Sequence, residues 1–146
     1  MRSNGDRRLL LDTHIALWLD SGDDRLTAAT RDLIDRLWRD GGTIFVSAVT
    51  IWEIALLVDL GRIDLDIAIE AWIERFLDRP GVEAAPLEHR AAARSYHLHD
   101  LEHRDPADRL LIATAIELAC PLVTHDDRIL RFGRRHGRKY GFAAVS

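Results

Sequence analysis

The chain has 146 residues, of which 47% are hydrophobic and 30% charged, and this composition is typical of one globular domain over residues 1–146. Its net charge of −4 excludes the strongly basic proteins that bind nucleic acid through charge alone. We expect a cytoplasmic protein with no membrane partner, because no apolar stretch approaches the roughly 20 residues of a spanning helix and no signal peptide is present.

Short apolar runs alternate with longer amphipathic segments along the whole chain. In chain order, the pattern predicts strand 9–11, helix 15–38 broken by a turn, strand 43–46, helix 50–60, helix 67–77, strand 82–85, helix 87–97, helix 105–118 and strand 121–124. Residues 140–145 add a possible edge strand. Strands separated by helices favour a parallel sheet with helices on both faces, so we expect an α/β protein with three layers and four or five central strands.

Four acidic residues follow a predicted strand or lie in the first turns of a helix: Asp12, Glu53, Asp108 and Asp126. The carboxyl ends of parallel strands meet at one edge of a sheet, so we expect these side chains to share a pocket. Carboxylates that lie close together repel each other unless a divalent cation lies among them. Oxygen ligands without cysteine favour Mg²⁺, with Mn²⁺ as a possible substitute.

Each of these acids also has a simpler explanation. Asp12 can be an ordinary helix N-cap, and either Asp126 or Asp127 can be a turn residue, so the choice of the fourth acid stays open. Glu53 is harder to explain in this way, because it interrupts an apolar helix face where an unpaired charge is costly. Asp108 lies at the edge of another apolar helix, so the cost of an unpaired charge applies to it as well.

Other polar residues give a weaker signal. His97, His99 and His103 are irregularly spaced in a polar loop, which indicates a solvated surface more than a zinc site. Basic residues crowd the C-terminal part of the chain at Arg131, Arg134, Arg135, Arg138 and Lys139. This group can hold the backbone of a polyanion or form surface salt bridges, and charge alone favours neither.

Four segments resemble, in order, the motifs of the PIN-domain toxins of bacterial VapBC toxin–antitoxin pairs. These segments are residues 10–18, 46–55, 103–113 and 122–126, and together they span nearly the whole chain. The resemblance implies a PIN-like α/β/α fold and a magnesium-dependent endoribonuclease that cleaves RNA. It also implies magnesium bound by the four acids, a homodimer, and silencing by a cognate VapB-type antitoxin. Ala107 departs from the pattern, since similar proteins often have an aromatic residue there.

Three further residues complete the predicted site. We expect Thr13 and Thr124 to position water or phosphate by hydrogen bonds, and Arg109 to hold the RNA backbone. The alternative function is a non-catalytic PIN-like binding module that has lost its metal and only holds a partner. The presence of all four acids favours the nuclease.

Overall fold

A parallel five-stranded sheet forms the centre of the protein in the computed structural model, which describes residues 7–146. The strands are β1 (Arg8–Leu11), β2 (Thr43–Ser47), β3 (Val82–Ala85), β4 (Leu122–Val123) and β5 (Ala144–Val145). Their order across the sheet is β3-β2-β1-β4-β5, and every neighbouring pair is parallel. The predicted parallel sheet is therefore confirmed, and the edge strand at the C-terminal end is present as β5.

Helices connect the strands. They are α1 (Thr13–Ser21), α2 (Ala28–Arg39), α3 (Ala48–Asp59), α4 (Ile69–Leu77), α5 (His89–Arg94), α6 (Pro106–Leu118) and α7 (Asp127–Tyr140). The helix predicted over residues 87–97 is shorter than expected, and the sequence pattern did not predict α7. None of the helices within residues 7–146 is both long and apolar enough to cross a membrane.

The central strand β1 separates two apolar cores. Leu9 and Leu11 face a cluster formed mainly by α1 to α4, whose largest buried side chains include Ile15, Ile54, Trp72 and Phe76. Leu10 faces the opposite cluster, built mainly from α6, α7 and the loop between α5 and α6, with Leu98, Leu111, Ile112 and Ile129 at its centre. Successive side chains of a strand point to opposite faces, so one apolar triplet supports both layers. The predicted three-layer α/β/α arrangement is confirmed.

The strand order changes direction beside β1. The chain first builds β2 and β3 on one side of β1, and then crosses over to place β4 and β5 on the other side. The carboxyl ends of β1 and β4 lie next to each other there, and the N–H of Asp12 donates to the carbonyl of Val123 at 2.9 Å. Open α/β sheets form their binding crevices at such a position, beyond the strand ends.

Helix α7, which the sequence pattern did not predict, packs closely against the rest of the chain because it contains glycine. Ile129 and Phe132 are buried, but two glycines weaken the helical signal of the sequence. A Cβ atom on Gly137 would lie 2.4 Å from the carbonyl oxygen of Phe142, so only glycine fits where α7 packs against the segment that leads into β5.

Candidate active site

Asp12 lies at the carboxyl end of β1, where the chain turns into α1. It is the N-cap of that helix: its Oδ1 accepts from the N–H of Thr13 at 2.7 Å, while Oδ2 accepts from the hydroxyl of Thr124 at 2.6 Å. Asp12 is only 8% exposed, and this burial raises its pKa, although the hydrogen bonds from Thr124 and Thr13 oppose the rise. Asp12 is therefore both the N-cap of α1 and the acid that the sequence predicted at the carboxyl end of the first strand.

Glu53 reaches the same place from α3. The hydroxyl of Thr13 donates to Glu53 Oε1 and lies 3.3 Å from the hydroxyl of Thr50. Burial raises the pKa of Glu53, the hydrogen bond from Thr13 opposes this, and the negative charges of Asp12 and Asp105 raise it further. Glu53 is half-buried at the border of the core, and Thr13 is the partner that its charge requires.

Asp126 joins the cluster as the N-cap of α7. Its N–H donates to Thr124 Oγ1 at 3.0 Å, and its Oδ1 accepts from the N–H of Arg128 at 2.8 Å. Burial acts to raise the pKa of Asp126, but hydrogen bonds from Arg128 and from the backbone outweigh it and lower the pKa. Asp127 is exposed in the first turn of α7. Of the two neighbouring acids, Asp126 is the one that contacts the other site residues.

Asp108 belongs to the same electrostatic environment. It lies in the first turn of α6, with its Oδ2 3.1 Å from His103 Nε2. Its pKa rises to about 7, first because of burial and then because of the negative charges nearby, which come from Asp105, Asp12, Asp126 and Glu53. Both causes oppose ionisation, as expected for an acid that is buried among other negative charges.

The structure therefore brings the four predicted acids together in two ways. Hydrogen bonds through Thr13 and Thr124 link three of them into one chain, which runs Glu53, Thr13, Asp12, Thr124, Asp126. Electrostatic repulsion couples Asp108 to all three. Within residues 7–146, no three His, Cys, Asp or Glu side chains lie close enough to hold one ion together. What the structure shows is a shared, strongly negative crevice.

Two residues at this crevice were missed by the sequence analysis. His103 lies in the polar loop but its side chain is only 10% exposed and contacts Asp108. Asp105 is the N-cap of α6, accepts from the N–H of Asp108 at 3.1 Å and adds a fifth negative charge. The Asp-Pro start of the helix is a visible signal for the cap, whereas no spacing rule connects His103 with an acid on the following helix.

Arg109 is placed differently from the prediction. Its side chain is buried, with the residue 7% exposed, and it donates to the carbonyl oxygens of Ser95 at 3.2 Å and of Leu101 at 2.8 Å. The guanidinium thus fixes the segment between α5 and α6 from inside the protein. The predicted contact of Arg109 with the RNA backbone is therefore wrong, because the guanidinium is turned into the protein.

Comparison with known proteins shows the family of the chain. The family description of the PIN domain matches residues 9–135, a span that contains all four acids. The chain belongs to the PIN-domain family. This PIN domain is 33% identical over 130 residues to Ribonuclease VapC22 of Mycobacterium tuberculosis, and the match covers 89% of the chain and 94% of that relative.

Solved structures confirm the PIN-like fold. VapBC2 from Rickettsia felis, bound to a DNA fragment from its promoter, superposes with a TM-score of 0.65 and 15% identity over 94% of this chain and 97% of that one. A toxin–antitoxin complex from Klebsiella pneumoniae gives a TM-score of 0.60 and 16% identity over 94% and 96% of the two chains. The family and the fold implied by the sequence resemblance are both confirmed.

Proposed function

We propose that this PIN domain is a magnesium-dependent endoribonuclease and the toxin of a type II toxin–antitoxin pair. The observation that best supports the proposal is the group of acids around buried Asp12, at the crevice between β1 and β4. Asp12 is linked through Thr13 and Thr124 to Glu53 and Asp126. The negative charges of these three acids help to raise the pKa of Asp108. The name of the relative from Mycobacterium tuberculosis, a ribonuclease, supports the same activity.

The donor atoms of the crevice have the chemistry that a hard cation prefers, although the acids must move closer together to hold one ion. Carboxylate oxygens are the preferred ligands of Mg²⁺, and Mn²⁺ accepts the same set. Burial and then the negative charges of the neighbouring acids raise the pKa of Asp108, and a bound cation would relieve the repulsion between these charges. Asp12, Glu53, Asp108 and Asp126 are the residues that would hold it. When bound, magnesium supplies positive charge to neutralise the phosphate and to make a nearby water more acidic.

The reaction is hydrolysis of an RNA phosphodiester bond. The oxygen of water forms a bond to phosphorus, the bond from phosphorus to one ribose oxygen breaks, and that oxygen takes up a proton. Thr13 and Thr124 orient the carboxylates of Glu53 and Asp12 by hydrogen bonds, which reduces the reorganisation that the reaction requires. Glu53 is half-buried rather than enclosed, so its carboxylate can accept a proton from water at the mouth of the crevice.

Partners of two kinds belong to the proposal. The solved relatives are toxin–antitoxin complexes, which supports a cognate VapB-type antitoxin for this chain in the cytoplasm. A homodimer is supported by apolar side chains along α3 and at its C-cap, where Trp52 is 60%, Leu56 39% and Leu60 53% exposed. Residues four apart lie on the same side of a helix, so these three form a continuous apolar surface suited to a partner chain.

The test is cleavage of structured RNAs by purified protein in magnesium or in chelator. We expect cleavage in magnesium only, and we expect the Asp108→Asn variant to be folded but inactive. Asp127→Asn is the matched control, because it removes the same charge from an exposed neighbour and should keep full activity. Full magnesium-dependent activity in Asp108→Asn would contradict the assignment. Partner binding without any cleavage would instead favour the non-catalytic module.

A further inference from the structure

A basic cleft lies directly beside the acidic crevice. We propose that this cleft binds the RNA phosphates next to the one being cleaved, and that Arg131 and Arg135 are the residues that hold them. The inference rests on the proposed function, since it assigns part of the substrate of the same site.

The cleft, of about 310 Å³, lies between α7 and the loop of residues 100–103. The arginines that α7 contributes are Arg128, Arg131 and Arg135. They are spaced by three and four residues, which places them on one side of the helix. The loop contributes His103, the residue that contacts Asp108 at 3.1 Å.

The basic residues that crowd the C-terminal part of the sequence lie in different places in the structure. Arg131 and Arg135 line this cleft, whereas Arg138 lines a separate cleft together with Arg8 and Pro121, at the amino-terminal edge of the sheet. Among the described residues, Arg134 lines neither of the two clefts, although it is exposed on the same helix. Only part of the run can therefore serve the acidic crevice.

Contacts at the border connect the cleft with the proposed metal ligands. Arg128 Nη2 lies 3.4 Å from Asp126 Oδ2, and His103 lies against Asp108. A phosphodiester held at the acids would therefore place its neighbouring phosphates near α7. An extended polyanion satisfies both sites at once, because a cation compensates the acids while the arginines meet the next phosphates directly.

The charges within the cleft support an anionic ligand. Asp100 also lines it, but its Oδ2 accepts from Lys139 Nζ at 2.7 Å and from the Tyr140 hydroxyl at 2.6 Å. Glu102 is exposed at the rim. Within residues 7–146, the guanidinium groups of Arg131 and Arg135 take part in no ion pair or hydrogen bond, so they are available. Arginine binds phosphate through two parallel hydrogen bonds, which favours it for this role.

The experiment measures binding separately from cleavage. The Asp108→Asn protein is titrated, in magnesium buffer, into a fluorescein-labelled single-stranded oligouridylate, and Kd is followed by anisotropy over a range of salt concentrations. Adding Arg131→Ala or Arg135→Ala should raise Kd about three- to tenfold and reduce the slope of log K against log salt by about 0.7 per lost contact. Arg134→Ala, the matched control with the same change in charge, should alter Kd less than about twofold.

Equal losses in all three arginine variants would overturn the assignment, since they would reflect net charge alone. It would also be overturned if Arg131→Ala weakened binding of a polyglutamate peptide while RNA binding stayed unchanged, because an acidic protein segment would then be the occupant. Cleavage by the otherwise wild-type protein separates the two proposals. In this cleavage assay, the Arg131→Ala substitution alone should raise KM and leave kcat unchanged. If no RNA is cleaved while the binding losses persist, the phosphate cleft stands and the nuclease proposal fails.

Discussion

Asp108→Asn should stabilise the metal-free protein while abolishing its activity. The pKa of Asp108 rises from an ordinary value of 3.8 to about 7 because of burial and of the surrounding negative charges. The folded protein therefore holds this proton more tightly than the unfolded chain does. Folding stability consequently falls as pH rises from about 4 to about 7, and the full cost is present above pH 7.

The size of this cost follows from the shift. About three pKa units at about 1.4 kcal/mol each give about 4 kcal/mol as an upper value. Asparagine stays neutral and can still accept a hydrogen bond from His103, so the variant avoids this cost. Because neighbouring acids share the repulsion, we expect a gain of about 2 to 4 kcal/mol at pH 8, or a rise in Tm of about 5 to 10 °C.

Thermal and urea unfolding in chelator, at pH 8 and at pH 5, measure the gain. The difference between variant and wild type should shrink by more than half at pH 5, where the wild-type carboxyl is protonated in the folded state. Asp127→Asn, the exposed control, should show no gain at either pH. Magnesium added at pH 8 should stabilise the wild type, by about 2.7 kcal/mol at a hundred times its Kd, and stabilise Asp108→Asn clearly less, because one of the four proposed ligands has lost its charge.

A variant with the same Tm as the wild type at pH 8 in chelator would refute the reasoning. So would a gain of equal size at pH 5, because an effect of asparagine on packing or helix propensity does not depend on this titration. In either case Asp108 would not lie in a desolvated cluster of negative charge, and the main electrostatic argument for a cation site would be lost.

Three further outcomes follow from particular contacts. Thr124→Val should lower stability by about 1 to 3 kcal/mol and weaken magnesium binding, measured by urea unfolding and calorimetry, because Asp12 loses its hydroxyl donor. Arg109→Met should cost about 2 kcal/mol in urea unfolding and leave RNA affinity unchanged, since its partners are buried carbonyls. Leu56→Lys should convert a dimer into monomers in light scattering without changing Tm by more than about 2 °C, because the side chain is partly exposed.

The central strands and their acids were predictable because their signals are local. A strand covered on both faces reads as a continuous apolar run, and Leu9 to Leu11 is such a run, ended by an acid. The rule that binding crevices form beyond the carboxyl ends of parallel strands then places Asp12 at the site. The position of Glu53 required one more step, namely that a charge within an apolar helix needs a partner.

The directions in which neighbouring side chains of a helix point were not predictable in this way. Arg109 follows Asp108 directly, and only the fold shows that one side chain points to the crevice while the other is buried under the loop between α5 and α6. Helix α7 was missed because glycine has a low helix propensity, although Gly137 is required by the close approach of Phe142. In both cases the reason lies in a tertiary contact from elsewhere in the chain.

The choice of hydroxyl groups beside Asp12 has a functional consequence. Thr13 and Thr124 orient the carboxylates without adding positive charge, so the repulsion that raises the pKa of Asp108 persists. A guanidinium in their place would lower that pKa and compete with a cation for the same oxygens. The positive side chains are instead kept at the border, as with Arg128, or buried, as with Arg109. This separation is what the proposed cation site and the proposed phosphate cleft both require.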